Sequence, residues 1–200
     1  MANISYTRTQ RLVGTAVLVA LIIVLQTVGS GIHFGPFTPT LSLVPIIIGA
    51  VLFGPMVGGF LGLVFSVVVL IAVISGADAG SAMMFTQNPA ATVFICLVKG
   101  TAAGCLAGLV AEYISKKNLT AAVVLAAIVA PVTNTGLFCI GMLIFFKNLL
   151  IQWGEASGFT NSFVYIFIGL IGMNFIVELI IDIVLSPVIV RIISVLKKNR

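Results

Sequence analysis

Inside the run NPAATVFICLVKGTAAG, where every neighbour is apolar, small or uncharged, Lys99 carries a full positive charge. Asn88, Thr92, Cys96 and Lys99 stand at i, i+4, i+8 and i+11, which is one side of a helix with 3.6 residues per turn. Two later apolar runs each hold one amide of interest, Asn134 in PVTNTGLFC and Asn174 in GMNFIVEL. An ammonium and neutral amides together suit an anion that also carries amide or hydroxyl groups. A second reading stands beside this one. Glu178 shares a helical face with Asn174 and Asp182, so Glu178 could neutralise Lys99 in a buried structural pair. Asp182 is expected to be solvated or paired near the inner surface.

These residues need elements that bring them to one depth, and composition says what the elements are. Of 200 residues, 60% are hydrophobic and 8% charged, against about 25% charged in soluble domains. The chain reads as an all-α integral membrane protein, one transmembrane domain over 1–200. A span needs roughly 20 apolar residues, and cutting on that length gives six: 12–28, 41–53, 56–74, 89–111, 121–146 and 163–183. The apolar stretch from Leu41 to Ile74 is too long for one helix, and Gly54-Pro55 divides it. The basic N-terminal segment lacks a small-residue cleavage site and reads as the lead into a retained first helix.

Six spans place both termini on one side, and positive charge names it as cytoplasmic. Arg8, Arg11, Lys116, Lys117, Arg191, Lys197, Lys198 and Arg200, eight of the ten basic residues, fall on that side. The net charge of +5 is this bias and calls for no nucleic acid. On the resulting topology Lys99 lies ~15 Å below the outer end of its helix, Asn134 ~18 Å and Asn174 ~20 Å at 1.5 Å per residue. The three define a candidate solute site open to the outside. Gly100, Gly104 and Gly108 form a separate stripe, suited to close contact with another helix.

The outer segment GSGIHFGPFTPT places His33 and Phe37 where they could cover a bound solute, and it reads equally as a plain connector with interfacial aromatics. His33 has no second histidine or cysteine beside it, so no metal site is expected. Cys96, Cys105 and Cys139 lie in apolar segments and read as reduced packing residues. No phosphate-binding G-x-x-x-x-G-K-[ST], H-E-x-x-H or G-x-S-x-G pattern occurs, so no catalytic activity and no cofactor is expected of this chain.

The layout, the pair Ala16 and Ala20 in the first helix, and the run PIIIGAVLFGPMVGGFLG across helices two and three resemble the substrate-binding S components of energy-coupling factor (ECF) vitamin transporters. The resemblance spans essentially the whole chain. Within that family, NPAATVFICLVKGTAAG and PVTNTGLFCIGM look most like the pantothenate type. It implies a multi-pass protein of the bacterial cell membrane that binds a vitamin from outside and leaves ATP hydrolysis to partners. Those partners would be a transmembrane coupling subunit, met through Ala16 and Ala20, and two cytoplasmic ATPases. Pantothenate offers a carboxylate to Lys99 and amide and hydroxyl groups to Asn134, Asn174 and Asn88. The absence of aromatic residues among these deep positions argues against flat-ringed vitamins. A smaller vitamin precursor such as a hydroxymethylpyrimidine stays open, as does a bundle without transport or an enzyme acting on lipid.

Overall fold

Without water to satisfy backbone N–H and C=O groups, an apolar chain in a membrane closes its hydrogen bonds within each segment as helix. The computed structural model describes residues 7–29, 41–159, 161, 164–165 and 172–198, without the side chains of 172–174 and 196–198. Within them, regular structure is helical throughout. The elements are α1 (Arg8–Gly29), α2 (Leu43–Phe53), α3 (Pro55–Ile74), α4 (Ala79–Gln87), α5 (Pro89–Ser115), α6 (Leu119–Phe145), α7 (Lys147–Ala156) and α8 (Gly172–Lys198).

Four of these, α1, α3, α5 and α6, are long and apolar enough to cross a membrane by length and composition. The 11-residue α2 is only ~16 Å long, about half a hydrocarbon core. The break between α2 and α3 falls at the Gly54-Pro55 pair. Gly54 takes φ +89° and ψ 179°, a region open essentially to glycine alone, and Pro55 opens α3 at a position where its missing N–H has no partner to lose.

The segments 75–88 and 147–161, which fall between the spans expected from the sequence, also contain helices. Asp78 caps α4, accepting from Ser81 N at 3.3 Å and Ser81 Oγ at 2.9 Å. Met84 of α4 and Leu149 and Leu150 of α7 are buried in one apolar cluster with Ile95, Met142 and Phe146. Burial against the ends of α5 and α6 thus folds segments too short to be stable helices alone. Most of the segment 29–40 lies outside the described residues.

α5 is central, with α3 and α6 as its most extensive neighbours. The glycine stripe faces α3. A Cβ at Gly100 would strike Ser66, one at Gly104 would strike the Gly58 carbonyl oxygen, and one at Gly108 would lie 2.5 Å from Pro55 Cα. Backbones meet there because no side chain intervenes. On the other side α8 packs against α6 and α2, contributing Ile189 and Ile193 to a main core that includes Leu43, Phe65, Ala107 and Ala126. Both α6 and α8 contain an interior proline, Pro131 and Pro187. α1 lies at the periphery, with Leu12, Val17 and Val28 all more than half exposed.

Candidate functional site

The seam between α5 and α6 holds the lysine. Lys99 is half-buried, and its Nζ stands 4.9 Å from the centroid of the Phe138 ring. The ring's negative face attracts the ammonium and leaves its remaining N–H donors for other groups. Cys96, on α5 close before Lys99, and Cys139, next to Phe138 on α6, are both buried. Register agrees. A Cβ on Gly141 would lie 2.5 Å from Ile95 Cδ1, and one turn deeper along both helices come Lys99 and Phe138.

Asn134 lies one further turn along α6 on the same face as Phe138, ~6 Å deeper. It is buried, and its Oδ1 has no hydrogen-bond partner among the described residues. A buried amide oxygen without a donor costs roughly 1–3 kcal/mol, so this atom calls for an explanation. Thr92 is also buried, and its hydroxyl donates to the Asn88 carbonyl at 2.9 Å.

The other candidates divide. Asn88 is exposed and caps α5, its Oδ1 accepting from Ala91 N at 3.1 Å. The oxygen assigned to solute is thus engaged in holding the helix start, ~16 Å up the axis from Lys99. His33 and Phe37 lie outside the described residues. Asn174 is in the first turn of α8, with its side chain outside them. Ala16 and Ala20 both present exposed methyl groups.

Asp182 departs from expectation. It is 1% exposed and its Oδ2 has no hydrogen-bond partner among the described residues. Glu178, Asp182 and Ser186 make a buried polar stripe at i, i+4 and i+8, because α8 turns that face onto its neighbours instead of toward water. Phe138, at i+4 from Asn134, was legible in spacing but not weighed beside the lysine on the neighbouring helix. Asp78 was also missed. It is buried at the start of α4, a helix that packs against α5. A buried pair, Ser42 Oγ donating to Gln26 Oε1 at 3.0 Å, ties α1 to the start of α2. A glutamine within the apolar stretch of α1 was its signal.

Among the described residues no three His, Cys, Asp or Glu side chains are grouped to hold a metal. The arrangement is a helical multi-pass membrane bundle with an ammonium, an aromatic ring and a buried amide on one internal seam. The family model of the ECF transporter substrate-specific component matches residues 10–190, and the chain belongs to that family. It is therefore a substrate-binding transport subunit that works with an ECF module. No individual curated protein and no solved structure matches it.

Proposed function

We propose that this chain binds pantothenate from outside a bacterial cell for high-affinity uptake, as a six-span protein with both termini cytoplasmic. The observation that carries the reading is the Lys99 ammonium over Phe138, with the donorless Asn134 oxygen on the same face of α6. The carboxylate of the vitamin pairs with Lys99, and one of its N–H or O–H groups donates to Asn134 Oδ1. Thr92 and Asn174 extend the site along α5 and α8, and His33 and Phe37 cover it. A transmembrane coupling subunit docks on Ala16 and Ala20, and two cytoplasmic ATPases drive the cycle.

The ligand class has a direct test. Pantothenate at 100 times its dissociation constant should stabilise the purified protein by about 2.7 kcal/mol, a shift of several degrees in melting temperature. Riboflavin, thiamine and folate should give none. Panthenol, which has a hydroxyl in place of the carboxylate, should give much less, and equal shifts from both compounds would rule out anion recognition by Lys99. Phe138 favours keeping one other ligand in view. A half-buried ring beside the ammonium can stack on a small heterocycle, so a hydroxymethylpyrimidine belongs in the same melting series, and a larger shift from it would reassign the substrate.

Docking is separable from binding. Alanines one turn apart admit a second helix closely, and both are exposed in the isolated chain. Ala16→Trp combined with Ala20→Trp should leave the ligand-induced melting shift unchanged and abolish co-purification with the coupling subunit. Assembly and ATP-dependent uptake by the double variant would refute the docking assignment.

A further inference from the structure

Among the described residues two buried side-chain atoms have no hydrogen-bond partner, Asn134 Oδ1 and Asp182 Oδ2. Both oxygens are acceptors, so each lacks the same thing, a donor. They belong to neighbouring helices, since α8 packs chiefly on α6. The two residues are 5% and 1% exposed, out of reach of bulk water.

Register brings the pair to one level. The main core contains Val123 and Ala127 from the first half of α6 and Ile189 and Ile193 from the last half of α8, so the two helices run antiparallel. Asn134 follows Ala127 by seven residues, and Asp182 precedes Ile189 by seven. Seven residues are two helical turns to within ~20°, or ~10 Å along the axis. Each orphaned oxygen is thus carried on the face that its helix already turns to the core, two turns out from that core.

Charge decides what joins them. A carboxylate buried in this way needs a counter-charge if it is ionised. The helices against which α8 chiefly packs, α6 and α2, hold no Lys, Arg or His, and Cys139 is the one titratable side chain on either. On α8 itself Glu178, one turn away, is a second acid, while Arg191 is exposed and Arg191, Lys197 and Lys198 begin ~13 Å further along the axis. Arg8 and Arg11 of α1 are exposed, and the Lys99 ammonium of α5 lies over Phe138. A hard cation takes about six oxygens, and α2 has no polar side chain to contribute. A proton needs only the two oxygens present.

We propose that Asp182 keeps its proton in the folded protein and donates it to Asn134 Oδ1, so that one buried O–H···O bond satisfies both atoms and ties α8 to α6. An amide oxygen has two lone pairs, and the second remains for a solute. Asp182 is therefore a positioning residue for the amide in the solute seam. The bond itself does not rest on the pantothenate reading.

The test uses the purified full chain in detergent. Its infrared spectrum at neutral pH should contain the C=O stretch of an un-ionised carboxylic acid, and Asp182→Asn should remove that band while keeping a donor and the melting temperature. Asp182→Leu and Asn134→Leu should each lower the melting temperature by several degrees. Combined, they should cost clearly less than the sum, because each alone strands the other's polar group. An aspartate in the unfolded chain is ionised at neutral pH, so the folded chain binds one proton more and its stability falls as pH rises. Between about pH 6 and about pH 8 the melting temperature of the unaltered chain should fall more steeply than that of Asp182→Asn. A missing acid band, parallel pH profiles, or additive losses in folded Leu variants would each overturn the bond. So would stabilisation by sodium chloride but not choline chloride that Asp182→Asn abolishes, since a cation would then hold the place of the proton. If the Leu variants do not fold, the band and the pH profiles of Asp182→Asn decide. Pantothenate binding that is unchanged in folded Asp182→Leu would overturn the positioning role, whereas an unaltered chain that binds no pantothenate would count against the solute reading and leave the bond to be judged by the band and the pH profiles.

Discussion

Lys99→Gln should lower affinity for the vitamin by about 100-fold, the loss of roughly 2.7 kcal/mol expected when a charge-assisted hydrogen bond inside a low-dielectric site is removed. Glutamine, one atom shorter, keeps a hydrogen-bond donor but cannot supply the charge. The fold should survive, because the side chain is half-buried and its ammonium lies over the Phe138 ring. Binding calorimetry on the folded variant measures the effect directly. Unchanged affinity would remove the lysine from the site. Glu178 provides the contrasting case, since it is buried on α8. If Lys99→Gln unfolds the protein and adding Glu178→Gln restores it, the lysine is one half of a structural pair, with the unfolding caused by an uncompensated buried carboxylate.

The second large effect is expected far from any ligand. Gly104→Val should destabilise the protein by about 3 kcal/mol or more, because the added Cβ would meet the Gly58 carbonyl oxygen and lie 3.1 Å from Ile46. The obstructing group is the backbone of another helix, which cannot rotate aside as a side chain can. Gly136 offers the internal control. A Cβ there meets nothing within 4 Å, so Gly136→Ala should be neutral or stabilise slightly, by up to about 1 kcal/mol of helix propensity. Melting temperatures in one detergent compare the two. Equal curves for both variants would mean that the α3–α5 contact is not as close as described.

Backbone breaks and small-residue faces were readable in the sequence because they rest on chemistry local to a few residues. Gly54-Pro55 ends one helix and starts another for reasons contained in two residues. The period of Gly100, Gly104 and Gly108 announces a contact before its partner is known. Burial was not readable, because lipid and protein core select the same side chains. Ile22 is fully buried while Ile23 is 44% exposed, and nothing in their type distinguishes them. The same degeneracy hid Phe138, which reads as one more membrane-facing aromatic until α5 brings Lys99 against it. Asn88 has a local role that periodicity did not show. Helical periodicity placed it on the lysine's face, whereas its position immediately before Pro89 is the start of the helix, where an asparagine serves as a cap. Asp182 was expected near water because depth was counted along the helix, without knowledge of the neighbours that cover it. The family match over residues 10–190 agrees with the resemblance drawn from the whole layout, while the substrate rests on a handful of side chains.

The prolines within α6 and α8 have a mechanical consequence. Pro131 lacks the N–H that would bond the Ala127 carbonyl, and its ring crowds the same group, so α6 is missing a rung between two differently used halves. On one side, Ala122, Ala126 and Ala130 are sealed in the interior. On the other stand Asn134 and Phe138. Pro187 removes a rung from α8, the helix packed along α6. Each helix of the pair therefore has a point at which bending costs less than in an unbroken helix. Tilting the half that carries Asn134 requires no separation of the alanine face from its neighbours. Movement at the end that carries Asn134 and Phe138 has its least costly bending point at Pro131.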